Sequence, residues 1–459
     1  MKKYIKLVIL LLPILGFGQM SATEYLAWVK TEHPVVKQAN LTLNAQEAKL
    51  LKARGGLDPV VKVRYSDKQF DDKQYYQKFY SSFEVPTQLG LVFSAAYEDN
   101  QGEYLNPESL VPASGLLKIG VSMEVFKNLV YNPRNATLKK AKIYQEQSVY
   151  QQGLEVNAIL KEALDAYIMW YSAYQAANTF NSYIEVAQLR YNNIAEQVDV
   201  GNLAAIDLTE AEALLNQRQL SYEKAQLHLT KTRLLLSNYL WKEGYPISLK
   251  ESMSPNPDLN DELDEILDLP RFTNLDSIVE NHPKIKSLDL KQEALVVDQK
   301  LAVNNILPSV DVSYNYLMQG DSPAFDGPNY QGLITAKIPI LMRKERGDLK
   351  LAKIKTENFS YSIDQEKWQL KNKLEAILAE ISSYERQVNL SISVRDNYQT
   401  LTEGEWEKYQ AGEGTLLYVN IREGKSLESS IKLIDNTQDL FFAKSKLYEQ
   451  QFEIKKPQS

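Results

Sequence analysis

The sequence offers few residues that could do chemistry on a substrate. Its three histidines, His33, His228 and His282, lie far apart, and two of them are followed directly by proline, Pro34 and Pro283. Proline is common at the first helical position, so these two histidines indicate helix starts rather than a catalytic site. Cysteine is absent, and no HExxH, Walker or GxSxG pattern occurs. We therefore expect a protein that is not an enzyme and that needs neither a cofactor nor a metal ion.

The carboxylates do not change this expectation. Most lie in segments with helical patterning, where salt bridging on a solvated face is their ordinary role. The acidic stretch from Asp258 to Asp268 lacks the ligand spacing of a calcium-binding loop. We interpret residues 251–272 as an acidic linker between two halves of the chain.

The N-terminus predicts export. Three lysines lie among the first six residues, an apolar run follows from Leu7 to Leu15, and small residues come at Gly16 and Gly18. This order is typical of a secretory signal peptide, here residues 1–18, although a buried first helix is the alternative. Cleavage would leave 49 basic against 59 acidic residues, which argues against nucleic acid as a partner. Without cysteine, the mature N-terminus is not expected to be lipidated.

The chain is duplicated. Two sets of residues share the same internal spacing: His33, Pro59 and Tyr65 in the first half, and His282, Pro308 and Tyr314 in the second. Farther on, the segments 138–143 and 349–354 are similar, and in each half a glycine follows 63 residues beyond the leucine, at Gly201 or Gly412. Matching lengths with drifting identities indicate two halves whose long elements must be equally long.

Those long elements read as helical hairpins. No proline occurs between Pro133 and Pro246, or between Pro339 and Pro457, and both stretches are rich in strong helix formers. Each is broken near its middle by the glycine. At about 1.5 Å per residue, the 63 residues before that glycine would form a rod about 95 Å long. A globular domain has no use for such a length.

The returning helix of the first hairpin carries two apolar stripes. One stripe is Leu208, Leu215, Tyr222, Leu229 and Leu236, and the other is Ile206, Ala213, Leu220, Leu227 and Leu234. A surface helix has one apolar stripe, so two predict neighbours on two sides, as in the wall of a helical tube. A core helix of a large bundle is the alternative.

Short segments with period-two alternation precede each hairpin, at residues 61–65, 117–123, 310–318 and 334–338. Each has one apolar and one polar face, which suits strands of an outer-membrane barrel but also strands of a soluble sheet. Four strands cannot close a barrel, so a membrane protein of this kind needs several copies that share one barrel. Residues 76–98 suggest a further hairpin. The sequence is compatible both with two additional strands in the barrel wall and with an extension outside the membrane.

The sequences of the two predicted turns resemble those of a known protein family. Residues 200–211 read VGNLAAIDLTEA, and the second turn, residues 411–419, reads AGEGTLLYV. With the signal peptide and the duplicated organisation, the mature chain resembles the TolC-like outer-membrane efflux protein family over essentially its whole length. The resemblance implies a mainly α fold with β: duplicated strand pairs and long helical hairpins. It also implies a homotrimer whose shared transmembrane β-barrel is continued by a periplasmic α-helical tube.

The expected organisation has two repeats, residues 19–250 and 273–456, on either side of the linker. The first contains a helix, barrel strands at about 58–126 with the extra hairpin 76–98, and a helical hairpin at 134–242. The second contains a helix, strands at about 308–341 and a helical hairpin at 345–452.

The resemblance also assigns roles to the two turns. They would be the periplasmic tips that dock a membrane-fusion adaptor: Gly201, Asn202, Leu203, Ala204, Gly412, Glu413, Gly414 and Thr415. Residues just beyond them are candidates for an entrance gate: Asp207, Glu210, Tyr418, Asn420 and Arg422. Expected partners are other copies of the chain, outer-membrane lipid, the adaptor and an inner-membrane pump of the RND or ABC type.

The function that follows is a passive exit duct of a tripartite efflux or type I secretion system, located in the outer membrane and extending into the periplasm. The alternative is a secreted or periplasmic coiled-coil scaffold without a pore. The alternating strands discriminate between them, since a scaffold does not need strands. A hydrolase is disfavoured because no nucleophile constellation is present.

Overall fold

A computed structural model describes residues 18–127, 131–267, 274–325 and 327–451. The predicted signal peptide, apart from Gly18, and part of the predicted linker lie outside the described residues. The chain divides into two compact units, each made of three or two separate segments. The helical unit comprises Met1–Asn40, Gly153–His282 and Gln369–Ser459, and the sheet unit comprises Leu41–Gln152 and Pro283–Trp368.

Nine α-helices account for most of the described residues. They are α1 (Ala22–Glu32), α2 (Pro34–Arg54), α3 (Pro133–Asp199), α4 (Ala205–Ser237), α5 (Leu259–Ile266), α6 (Leu275–Asn281), α7 (Pro283–Asn304), α8 (Arg343–Gln410) and α9 (Leu416–Glu449). The predicted long helices are confirmed, and their lengths match between halves: 67 residues in α3 against 68 in α8, and 33 in α4 against 34 in α9. No described helix is both long and apolar enough to span a membrane.

The two His-Pro pairs mark helix starts, as predicted. Pro34 is the first residue of α2, and Pro283 is the first residue of α7. The preceding histidines end α1 and α6 in extended backbone conformation. The Nδ1 atom of His33 accepts a hydrogen bond from the Val35 N–H at 3.3 Å, which satisfies one of the free donors at the start of α2.

The helical unit has a core of large side chains. Trp170, Tyr167 and Leu164 of α3 are buried together with Phe441 of α9 and Tyr25 of α1. Part of the predicted acidic linker contributes as α5, whose Leu259 and Leu263 are fully buried. The buried Lys444 ammonium donates to the carboxylate of Asp264 on α5. Two short strand pairs complete this unit, Gln19–Met20 with Ser254–Pro255 and Trp241–Lys242 with Tyr245–Pro246.

The two apolar stripes of α4 have different surroundings. In the first stripe Leu215 and Leu236 are buried, and Leu208, Tyr222 and Leu229 are half-buried. The second stripe is exposed along its whole length, with Ile206, Leu220, Leu227 and Leu234 between 55 % and 71 % exposed. Among the described residues of one chain, therefore, only the first stripe is covered by neighbours.

The sheet unit contains six strands: β1 (Val60–Phe70), β2 (Lys73–Pro86), β3 (Leu91–Gln101), β4 (Leu116–Glu124), β5 (Ser309–Gln319) and β6 (Tyr330–Lys337). All neighbours are antiparallel, and their order across the sheet follows their order in the chain. The four segments with predicted alternation correspond to β1, β4, β5 and β6. The hairpin suggested at 76–98 forms β2 and β3. These two strands lie between β1 and β4, since β2 pairs with β1 and β3 pairs with β4 along continuous ladders.

One face of this sheet is apolar across all six strands. A single row of neighbouring residues runs through Val61, Phe83, Ala95, Ile119, Tyr316 and Tyr330. The opposite face carries Lys62, Glu84, Glu98, Lys118 and Asn315. Because strand side chains alternate between faces, the predicted alternation separates apolar from polar residues over the whole sheet. The parts of α2 and α3 that belong to this unit pack with each other and with α7 through small apolar clusters.

Candidate functional site

The first turn reverses the chain between α3 and α4. Gly201 has a φ of +80°, a left-handed conformation that glycine adopts without steric cost. The Asn202 and Leu203 N–H groups both donate to the Gln197 carbonyl, at 2.8 and 3.2 Å, and so close the end of α3. On the far side, the Asp207 carboxylate accepts the Ala204 N–H at 3.1 Å. Asp207, a predicted gate residue, therefore caps the start of α4.

The second turn, between α8 and α9, uses two glycines for different reasons. Gly412 repeats the left-handed conformation, with a φ of +76°. Gly414 approaches the preceding helix end so closely that a Cβ atom there would lie 3.0 Å from the Tyr409 nitrogen. Thr415 then precedes α9 in extended conformation. The two predicted tips are thus tight reversals with matching backbone at the first glycine.

The structure brings the two turns together. Ile194 of α3, Ala211 of α4 and Leu416 of α9 form a buried apolar cluster. Leu203 of the first turn and Tyr409 beside the second turn pack against it. One surface of the helical unit therefore presents both reversals, and a partner could contact them at the same time.

A charged cluster lies behind the turns. Arg190 of α3, Arg218 of α4 and Glu423 of α9 are each less than a tenth exposed. The Arg190 Nη2 atom is 2.5 Å from Glu423 Oε2, and the Arg218 Nη2 atom is 3.8 Å from Glu423 Oε1. Burial lowers the pKa of the Arg218 guanidinium, although the Glu423 carboxylate opposes that shift. One buried carboxylate therefore compensates two buried cations.

Aromatic rings and a second carboxylate surround these cations. The Arg190 guanidinium lies 5.3 Å from the Trp406 ring centroid on α8, and its Nη1 atom donates to Asn420 Oδ1 at 3.0 Å. The Asn420 amide in turn donates to Glu210 Oε1 at 2.8 Å. Tyr183 faces Arg218 at 6.0 Å and shares a 2.8 Å hydrogen bond with Ser426. All four long helices are thus tied together directly behind the turns.

The predicted gate residues have different surroundings in the structure. Glu210 and Asn420 belong to this network, whereas Asp207 caps its own helix. Tyr418 is exposed and Arg422 is half-buried, and among the described residues neither contributes a hydrogen bond or ion pair to the cluster. The roles of these residues as a gate stay predictions.

Sequence reasoning missed Arg190, Arg218, Trp406 and Glu423 as members of one site. A signal for two of them existed. Arg218 comes three residues after Leu215 of the buried stripe, and Glu423 comes four residues after the buried Val419. A charged residue at a helical interval that otherwise buries apolar groups needs a partner of opposite charge. No group of three or more potential metal-ligating side chains occurs in the part of the chain that the structure describes.

Comparison with known proteins rests on structure alone. No protein-family model matches the sequence, and no curated protein matches it significantly. A membrane protein from Pseudomonas aeruginosa has a TM-score of 0.69 at 14% identity, over 94% of this chain and 89% of that one. CusC, described as forming a transmembrane channel, has a TM-score of 0.69 at 13% identity, over 94% and 91%. The MtrE outer-membrane channel from Neisseria gonorrhoeae, in its open state, has a TM-score of 0.64 at 12% identity, over 94% and 88%.

The chain has the fold of these outer-membrane channels. The TolC-like fold expected from the turn sequences and the duplicated hairpins is therefore confirmed. Identities of 12 to 14% leave the side chains free to differ, so the Arg190–Glu423–Arg218 cluster is a property of this chain within the channel fold.

Proposed function

We propose that this protein is the exit duct of a tripartite efflux or type I secretion system. Three copies share one β-barrel in the outer membrane, and their helices continue it as a periplasmic tube. The duct is passive and conducts what an inner-membrane pump delivers through an adaptor. The observation that carries the proposal is a two-faced antiparallel sheet with open edges, within the fold of outer-membrane channels.

The two faces of the sheet suit the two sides of a barrel wall. The apolar row, in which Val61, Ile119 and Tyr330 are all exposed, would face lipid. The polar face would line the lumen, as in outer-membrane barrels. A soluble scaffold would leave this apolar face in water, where an exposed patch of such extent is a liability.

The open edges call for further copies. In the described sheet β1 and β6 each have one unpaired side, and unpaired backbone groups are not tolerated in hydrocarbon. Pairing between the open edges of neighbouring copies satisfies these backbone groups. The exposed stripe on α4 supports the same assembly, because a neighbouring copy would cover Leu220, Leu227 and Leu234.

The turns support an adaptor contact. They form the exposed end of the helical hairpins, and Gly201, Asn202 and Gly412 are all accessible there. In this proposal the two tips dock the adaptor, while Glu210 and Asn420 belong to the entrance that docking would open.

The test combines location, assembly and conduction. The protein expressed in its own cells should occur in the outer-membrane fraction as a detergent-stable trimer, and purified trimer should conduct ions in planar bilayers. A variant in which the Glu423 cluster is broken should conduct better, because its four-helix tie is lost. A monomer in the soluble periplasmic fraction would instead support the scaffold alternative.

A further inference from the structure

We propose that the hairpin β2–β3 belongs to the barrel wall, so that three copies close a barrel of eighteen strands, six from each. The inference rests on the proposed function, because it takes from it the shared barrel and the trimer. It concerns the number of wall strands, and therefore the width of the duct at its outer end.

The apolar face gives the first argument. Phe83 of β2 and Phe93 of β3 are 47 % and 50 % exposed, and Ile119 of β4 and Tyr314 of β5 are 46 % and 50 % exposed. The register places all four on the same face of the sheet. A hairpin that projected into water would have no reason to present large apolar side chains as openly as strands that contact lipid.

The polar face gives the second argument. Lys118 of β4 pairs with Glu98 of β3 at 2.6 Å and also donates to Gln331 of β6 at 3.3 Å. The Lys118 side chain thus links β3, β4 and β6 across this face. On the other side of the hairpin, Lys62 of β1 pairs with Glu84 of β2 at 2.7 Å. The hairpin therefore carries part of one continuous polar surface, as the lumen side of a barrel wall does.

The stagger of the strands gives the third argument. The row of neighbours starts at Val61, next to the first residue of β1, and ends at Tyr330, the first residue of β6. Because β1 and β6 run in opposite directions, their first residues lie at opposite ends of the sheet. The row of paired residues is therefore slanted relative to the strands. A closed barrel requires such a slant, and here it accumulates across the hairpin as it does across the other strands.

A wider duct follows. Barrel diameter grows with strand number, and barrels of about 16–18 strands enclose an aqueous channel. An eighteen-stranded mouth therefore suits bulky hydrated solutes better than the twelve-stranded mouth that four strands per copy would give.

The experiment measures which side of each strand meets lipid. Nitroxide labels are placed one at a time at residues 92–97 of β3, and at residues 311–316 of β5 as the reference, in trimers reconstituted into phospholipid vesicles. Since the chain has no cysteine, each engineered cysteine is the only labelling site. Collisions with oxygen report lipid, and collisions with a water-soluble nickel chelate report water.

We expect β3 to alternate as β5 does, with oxygen contact at Phe93, Ala95 and Tyr97 and chelate contact between them. Uniform chelate contact along β3, with β5 still alternating, would overturn the eighteen-stranded wall and leave the duct itself standing. Loss of alternation in β5 as well would instead overturn the membrane location on which both proposals rest. Each labelled protein is first checked as a trimer on a gel, so that an unfolded variant is not scored.

Discussion

The two halves of the molecule agree in their helices and disagree in their strands. The hairpins α3–α4 and α8–α9 differ by one residue in each arm, over more than sixty residues in the longer arm. The strand segments differ by two whole strands, four in the first half and two in the second. Helices that lie side by side must end level if their turns are to form one surface. A sheet has no such requirement, because a hairpin added between antiparallel neighbours leaves their pairing pattern intact.

The strongest way to break the agreement is to shorten one hairpin. Deleting residues 387–393 and 432–438 removes seven residues from each arm of the second hairpin and keeps the heptad phase. The turn would retreat by about 10 Å and lose its contacts with the first turn. We expect export to fall to the level of a strain that lacks the protein, measured as susceptibility to a pump substrate.

The matched control also deletes residues 176–182 and 221–227, which brings the first hairpin to the same length. We expect detergent gels to show no trimer for the singly shortened protein and trimer for this control, since only in the control are both turns level again. If the singly shortened protein assembles and exports normally, the equal helix lengths have no structural meaning.

The second prediction concerns the one carboxylate that the second half contributes to two arginines of the first. Glu423→Gln leaves Arg190 and Arg218 buried with no compensating charge, which should lower the free energy of unfolding by about 3–5 kcal/mol. The measurement is the thermal midpoint of the trimer, together with the rate at which protease cleaves near residues 200 and 412.

Glu428→Gln is the matched control, because Glu428 pairs with Lys425 on the same helix but in solvent. It should leave both readouts nearly unchanged. Equal behaviour of the two variants would mean that the buried cluster contributes no more than a surface ion pair.

The third prediction compares the two turns. Gly201→Val and Gly412→Val each force a β-branched residue into a left-handed conformation, at a cost of about 1–2 kcal/mol. Both should weaken adaptor crosslinking from positions 204 and 415 and reduce export, while the trimer stays intact. Gly→Asn at either site should be milder, because asparagine tolerates this conformation.

Gly414→Ala sharpens the comparison, because only the second turn has a backbone contact at that distance. It should impair crosslinking from 415 more than from 204. Gln217→Val, on the exposed face of α4, is the control for a drastic change away from the turns. Full export and crosslinking in both valine variants would remove the turns as docking sites.

The smallest effect is expected from His33. Burial lowers the pKa of the His33 imidazole, so this group binds its proton at a higher pH in the unfolded chain than in the folded chain. The contribution of His33 to the free energy of unfolding is therefore fully present above the unfolded pKa of about 6.5 and decreases as the pH falls below it. We expect the thermal midpoint of His33→Gln to fall less between pH 7.5 and pH 5 than that of the unchanged protein. Parallel decreases in the two proteins would assign the pH dependence to other groups.

Local signals in the sequence predicted much of this fold. Proline after His33 and His282 marks helix starts, and Gly201 and Gly412 mark reversals, because each depends only on backbone geometry within a few residues. The order of the strands could not be predicted in the same way. Whether β2 and β3 lie between β1 and β4 depends on pairings between residues far apart in the chain, and alternation alone is the same in either arrangement.

The candidate site shows the same limit. The turns themselves were found from glycine and spacing, whereas the buried cluster needs three helices to bring Arg190, Arg218 and Glu423 together. Each of these residues alone is ordinary on a helix surface. Only the distance between helices, which the sequence does not contain, makes them a unit.

The sheet has one further property, which concerns how such a protein can change over evolutionary time. Its strands pair in the order in which they follow one another in the chain. An even number of antiparallel strands therefore begins and ends at the same end of the sheet. In the proposed barrel, gaining or losing one hairpin would change the strand number by two per copy, while α2 and α3 would still join the sheet at the same end of its strands. In the proposed duct, barrel width and tube length would therefore be inherited separately, and a lineage could change the barrel for a different cargo without changing the end proposed to meet the adaptor.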